Sequence, residues 1–211
     1  MNTLRITEIF LSLQGESCSV GFPTTFVRLT GCPLRCTYCD SAYAFSGGEV
    51  LDIDAVVEQV ERHGVRHVCV TGGEPLAQRA CLPLLEQLCD KEYTVSLETS
   101  GALDISEVDS RVVKVMDLKV PSSGEESKNY YENIDHLSAR DQVKFVIGGR
   151  LDYLWAKEVL EDKLQNTQAE VLFSPSFEDV APRQLADWIV EDKLAVRFQL
   201  QLHKVLWGDE P

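Results

Sequence analysis

The chain has 211 residues, 44% of them hydrophobic, enough for one domain with a sizeable core. No apolar run approaches the roughly 18 residues that cross a bilayer, so no membrane partner and a cytoplasmic location are expected. With 34 acidic against 20 basic residues the formal net charge is -14. That excludes a broad nucleic-acid surface, whose affinity comes mainly from Lys and Arg displacing counterions, and leaves a small molecule as the expected partner.

Short β-branched runs alternate with helical patterns along the chain. A strand over 4–10 leads through Leu13, Gln14 and Gly15 to a second over 25–30. The cysteine run follows, then a helix over 53–62 with Asp52 or Asp54 as its cap. A strand over 67–71 precedes Gly72, Gly73, Glu74 and Pro75, and a helix over 76–89 contains Pro83, which should kink it. Strands over 94–98 and 112–119 enclose Glu98, Thr99, Ser100 and Gly101. A strand over 142–147, a helix over 152–165, a strand over 170–173, a helix over 182–192 opening on Pro182, and a strand over 196–202 complete the chain. This is the pattern of parallel strands joined by crossovers, a barrel or partial barrel. In such folds the loops after the strand C-termini carry function, and the suggestive clusters all fall in those loops.

Cys32, Cys36 and Cys39 are the most informative of these. Three thiolates at this spacing can hold three irons of a cubane cluster and leave the fourth open, whereas four cysteines per cluster is the complement of electron carriers. A structural zinc site also uses short cysteine spacings, but it is closed by four ligands, usually in two pairs, and no second pair is present. A disulfide framework fits less well still. Seven cysteines is an odd count, no signal peptide is expected, and cytosolic thiols stay reduced. Gly72 and Gly73 read either as a tight turn or as a place where the backbone comes close to a ligand.

The cysteine spacing, with Tyr38 before the last cysteine and Gly72, Gly73, Glu74 and Pro75 after the next strand, resembles the radical S-adenosylmethionine superfamily. A closer resemblance, to the 7-carboxy-7-deazaguanine synthases, runs over nearly the whole chain. It rests on the segments 8–16, 26–29, 39–41, 98–101, 117–121 and 201–207. The resemblance implies an α/β fold: a partial (β/α) barrel of the radical SAM type, with about six parallel strands, a reduced helix set and N- and C-terminal extensions. Residues 1–211 would form one core domain, with a short N-terminal substrate segment and a C-terminal strand. It also implies a 4Fe-4S cluster, S-adenosylmethionine and Mg2+ as cofactors. The reaction implied is the ring contraction of 6-carboxy-5,6,7,8-tetrahydropterin with loss of ammonia, on the way to queuosine.

Carried over by position, the resemblance gives Cys32, Cys36 and Cys39 to the cluster and Ser41 to Mg2+. It gives Tyr38, Gly72, Gly73, Glu74, Gly101, Gln142, Val143, Lys144, Ser174, Pro175, Ser176 and Phe177 to S-adenosylmethionine. Leu13, Gln14, Gly15, Arg28, Thr99 and the terminal Pro211 fall to the pterin. Arg28 suits a carboxylate because its planar donors match two oxygens. Ser41 stands where the family favours threonine, and Ser17 where glycine is expected. A homodimer and a transient reductant, such as a flavodoxin, are the implied partners. A glycyl-radical-enzyme activase would share the cysteine and glycine motifs but lack the Leu13–Gly15 segment. A non-catalytic iron-sulfur protein would not respond to S-adenosylmethionine. His63, His67, His136 and His203 have no metal spacing and read as structural or solvent-facing. Cys18, Cys69, Cys81 and Cys89 read as packing residues, and the stretch 122–129 as a solvated loop with no chemistry.

Overall fold

The computed structural model describes residues 2–177 and 179–208. β1 (Thr3–Leu13), β2 (Pro23–Leu29) and β3 (Glu49–Asp52) open the chain, followed by α1 (Ile53–His63), β4 (His67–Gly72) and α2 (Cys81–Asp90). Then come β5 (Thr94–Thr99), β6 (Val113–Asp117), β7 (Gln142–Ile147) and α3 (Arg150–Asp162). β8 (Glu170–Pro175), α4 (Pro182–Asp192), β9 (Arg197–Phe198) and α5 (Leu202–Trp207) follow. One sheet holds the strands in the order β3-β1-β2-β4-β5-β6-β7-β8-β9. β1 pairs antiparallel with both β2 and β3, while every neighbour from β2 to β9 is parallel. Six full parallel strands and the two-residue β9 thus make the partial barrel. Among the described residues its two edge strands do not pair with each other.

The period-two alternation of the strands sorts the side chains. Val68, Val70, Val95, Leu97, Met116, Val143, Phe145 and Phe173 point outward into one core shared with the buried faces of α1 to α4. The positions between them point inward, and four polar ones among them, Thr71, Glu98, Asp117 and Lys144, line an internal cavity. Opposite assignments on the two faces of one sheet explain why the parallel strands are not uniformly apolar, as sheets covered on both sides usually are.

α1 is capped by Asp52, not Asp54: the Asp52 carboxylate accepts from the Ala55 N–H at 2.8 Å, and Gly64 ends the helix in the left-handed region at φ +67°. The expected helix over 76–89 is split. A 3-10 turn covers Pro75–Ala77 and α2 starts at Cys81, so Pro83 lies in a first turn, where its missing N–H breaks no helical bond. The expected strand over 196–202 is corrected most strongly. Only Arg197–Phe198 pairs, and Leu202 begins α5. The run of apolar and polar residues there suits either period, and docking against the N-terminal segment decides it: Leu202 N donates to Gly15 O at 2.9 Å. β3 was not anticipated. It is short and largely exposed, and is held by pairing with β1.

Candidate active site

The cysteine loop leaves β2 at Leu29 and is zipped to the loop after β4. Gly73 N donates to Leu29 O at 3.2 Å and Glu74 N to Gly31 O at 2.8 Å. A Cβ on Gly72 would lie 2.2 Å from Leu29 O, and one on Gly73 2.2 Å from Gly31 O. Both glycines are therefore required by the close approach of two backbones, and Gly72 also by its φ of +150°. The stretch 122–129, expected to be solvated, instead buttresses the cysteine loop. Thr37 N donates to Ser123 O at 3.0 Å, Thr37 Oγ1 to Ser122 O at 2.7 Å, and Arg35 N to the Glu125 carboxylate at 2.5 Å.

Cys32, Cys36 and Cys39 line one end of a cavity of about 840 Å3. Burial pushes the Cys32 thiol up, the charges of Glu74 and Cys39 add to this, and Lys119 opposes it. Burial also raises Cys36, with Lys119 opposing and Asp117, Cys39 and Cys32 adding. Thiols so placed, Cys32 and Cys36 with their charge disfavoured by burial and neighbours, are suited to a positively charged iron core. The donor set therefore fits a cluster with one sulfur per iron. Among the described residues no three His, Cys, Asp or Glu side chains gather closely enough to hold a single metal ion. Tyr38 lines the same end, its hydroxyl buried without a partner.

The opposite wall comes from the N-terminal segment and β2. Leu13, Gln14 and Gly15 line it, and the Gln14 Nε2 is a buried donor with no acceptor. Ser17 occupies the left-handed region at φ +66°, which explains why glycine is expected at this turn; its Oγ lies 3.0 Å from Ser19 Oγ. Arg28 projects inward, its Nε donating to Glu8 at 2.7 Å and its Nη1 lying 3.5 Å from Ser41 Oγ. Ser41 Oγ donates to Asp40 at 2.9 Å, so two oxygen side chains stand together beside the guanidinium. Thr99 also faces the cavity.

Glu74 does not line the cavity. It is fully buried, and its carboxylate accepts from Leu76 N, Thr99 Oγ1, Ser100 N and Ser100 Oγ at 2.5–3.0 Å. It is a strut between the β4 and β5 ends. Gly101, Gln142, Val143, Ser174 and Pro175 also stand outside the cavity lining, whereas Lys144, Ser176 and Phe177 are part of it. Pro211 lies outside the described residues.

At the centre sits a charge cluster that the sequence did not single out as a unit. Lys144 Nζ is 2.8 Å from Glu16, 3.6 Å from Glu98 and 3.7 Å from Asp117, and Lys119 is 3.2 Å from Asp117. Burial alone would raise Glu16, but the Lys144 charge and hydrogen bonds from Gln201 and Lys144 outweigh it and hold the carboxyl at about 2. Glu98 has no Gln201 donor and only the longer contact to Lys144. Burial pushes it up to about 7, with Glu16 and Asp117 adding and Lys144 opposing. Burial would lower Lys144, yet its three carboxylates keep it well above the usual lysine range. His203, on α5, lines the cavity too, contrary to its reading as a bystander. Its ring packs on Gly15, where a Cβ would meet Nδ1 at 2.1 Å. The signal was its place in the 201–207 segment; its lack of metal spacing was no guide.

The radical SAM superfamily model matches residues 26–161. Over 98% of the chain, the sequence is 42% identical to 7-carboxy-7-deazaguanine synthases from Koribacter versatilis, covering 98% of that protein, and from Chlorobaculum tepidum, covering 96%. In fold it is similar to the crystal structure of QueE from Escherichia coli, with a TM-score of 0.77, 23% identity and 95% of each chain covered. It is also similar to Streptococcus suis SuiB bound to S-adenosylmethionine, with a TM-score of 0.55 and 14% identity over 81% of this chain and 45% of that one.

Proposed function

The chain belongs to the radical SAM superfamily and, within it, to the 7-carboxy-7-deazaguanine synthases, and from that premise we propose the chemistry of its cavity. The reaction is the conversion of 6-carboxy-5,6,7,8-tetrahydropterin to 7-carboxy-7-deazaguanine with loss of ammonia. The observation that supports it is that one cavity joins the three cysteines to Gln14, Arg28 and Thr99. Cys32, Cys36 and Cys39 would hold a 4Fe-4S cluster, which together with S-adenosylmethionine would supply the one-electron radical chemistry.

The chain's own residues then bind and orient. Gln14 offers its unpartnered amide donor to a ring acceptor, because a buried donor left unmade costs about 1–3 kcal/mol. Glu8 takes the Nε of Arg28 and so aims the Nη edge at the substrate carboxylate near Ser41. Leu13, Gly15 and Thr99 complete the pterin wall. Tyr38, Lys144, Ser176 and Phe177 supply cavity surface to S-adenosylmethionine. Gly72 and Gly73 hold the two loops together, and Glu74 fixes the ends of β4 and β5, on which Thr99 and Gly101 depend. Gln142, Val143, Ser174 and Pro175, which stand outside the cavity lining, take supporting roles toward S-adenosylmethionine, and Pro211, assigned to the pterin, lies outside the described residues. For Mg2+, Ser41 and Asp40 offer oxygens, and water and substrate carboxylate would fill the rest of an octahedral shell. Ser41→Ala should blunt the Mg2+ response of the reaction; an unchanged Mg2+ titration removes Ser41 from this role.

Exposed Leu200, Val205, Leu206 and Trp207 support a homodimer, to be checked by light scattering. A flavodoxin-type reductant remains the expected electron donor. Among the described residues no helix is long and apolar enough to cross a membrane. The deciding assay is anaerobic, with reconstituted protein, dithionite, Mg2+, S-adenosylmethionine and the carboxypterin. Deazapurine in large excess over S-adenosylmethionine consumed supports the synthase with cofactor recycling. Cleavage without deazapurine leaves superfamily membership standing and removes the substrate.

A further inference from the structure

We propose that Glu98 is the proton-transfer residue of the amine-loss step, taking a proton from carbon and delivering it to the departing nitrogen. The inference rests on the proposed function. Loss of ammonia from the ring-contracted skeleton is redox-neutral. A C–H bond gives its proton to a base, its electron pair becomes the new double bond, the C–N bond breaks toward nitrogen, and the amino group leaves as ammonia with that proton. Such a step needs a group on the cavity wall that both accepts and releases a proton near neutrality.

The inward-facing carboxylates differ in how far their lone pairs are already committed. Glu8 accepts from Arg28 and from the Tyr43 hydroxyl, each at 2.7 Å. Glu16 accepts from Lys144 at 2.8 Å and from Gln201 at 2.9 Å. Asp117 Oδ2 has Lys119 at 3.2 Å as well as Lys144 at 3.7 Å, while its Oδ1 is buried without a partner and so has no contact with the cavity or with solvent. Glu98 has only the distant side of Lys144, at 3.6 Å, and among the described residues no hydrogen bond shorter than that. It stands at the C-terminal end of β5, next to Thr99, with its side chain 19% exposed to the cavity.

Its surroundings explain how it can hold a proton. It faces Cys69 from β4, Asp117 from β6, Lys144 from β7 and Glu16 from the N-terminal segment. Arg28 on β2 acts on Cys69, and His203 on α5 acts on Glu16. Lys144 is shared among three carboxylates. Glu16 keeps its charge through its second donor, and burial drives a proton onto Glu98.

The test uses the reconstituted holoenzyme with pterin deuterated at C6, the position from which the adenosyl radical would take a hydrogen atom before the proton-transfer step. Glu98→Gln is expected to keep deuterium transfer into 5′-deoxyadenosine, to accumulate a ring-contracted species still carrying the amine, and to slow deazapurine formation by about 100-fold or more. The limb of the pH–rate profile near neutrality should disappear in this variant. Glu98→Asp should recover part of the rate with a displaced limb, and it serves as the readout if Glu98→Gln does not fold. Three results overturn the proposal: wild-type deazapurine rates in Glu98→Gln, equal loss of deuterium transfer and product, or a limb that vanishes in His203→Gln and persists in Glu98→Gln. If the wild-type protein makes no deazapurine from the pterin, the substrate reading falls and this inference falls with it. Product at equal rates from wild type and Glu98→Gln removes the inference alone.

Discussion

Replacing Glu98 by glutamine perturbs stability in a direction set by its burial. The carboxyl is displaced from 4.5 to about 7 chiefly by desolvation. At about 1.4 kcal/mol per pH unit, keeping it ionised in the fold above pH 7 costs about 3 kcal/mol. A group whose pKa is raised on folding contributes stability that is fully present below about 4.5 and is lost as pH rises through about 7. Glutamine abolishes the titration, and the attraction to Lys144 is already contained in the net displacement. The variant should therefore exceed wild type by about 3 kcal/mol at pH 8. The advantage should shrink steadily toward pH 5. Urea unfolding of the reduced, cluster-free protein, followed by tryptophan fluorescence at half-unit steps between pH 5 and 8.5, measures this. A difference that stays flat with pH, or grows toward acid, refutes the reasoning.

Lys144→Met leaves Glu16, Glu98 and Asp117 without their common cation and should cost about 3–5 kcal/mol at pH 8. The cost should be less at pH 5, where protonation relieves the carboxylates; equal urea midpoint shifts at the two pH values would contradict this. Gly73→Ala drives a Cβ to 2.2 Å from Gly31 O, so the cysteine loop must move. We expect about 1–3 kcal/mol of destabilisation and iron incorporation well below the wild-type content, read by iron and sulfide analysis after reconstitution. Glu74→Gln sets an amide N–H2 against the hydroxyl and N–H donors of Thr99 and Ser100, for a loss of about 1–3 kcal/mol. An unchanged thermal midpoint would show that the strut is dispensable.

The parallel strands were legible because each is a short β-branched run bounded by turn residues, and β7 and α4 match their predicted limits. The cysteine loop and the glycines were legible because both depend on local spacing. Ser17 was noticed as a departure from the expected pattern, and its φ of +66° supplies the reason. What local reading missed is the contacts made across large sequence distances. Glu125 reads as a solvated acid until Arg35 N, 90 residues away, is found on its carboxylate. The Glu16–Glu98–Asp117–Lys144 cluster draws on four separate elements, and only strand register brings them together: Asp117 pairs directly with Lys144 across β6 and β7. α5 was read as strand because its context is the N-terminal segment, which no window of neighbouring residues contains.

That docking of α5 sets an order of events for a chain made from one end. Gln199 Nε2 donates to Ser17 O across 182 residues, and Gln201 Nε2 to Glu16 across 185. That cavity wall therefore joins residues near 16 to residues near 200. Until residues near 200 emerge, Glu16 lacks its second donor and Gly15 its cover, although the cysteine loop and β1 to β7 can already be paired. Cluster loading and substrate binding are thus separable in time during synthesis. A growing chain would take up iron before it could close this wall, so pterin affinity in chains of increasing length should appear abruptly once they extend past residues 199–202.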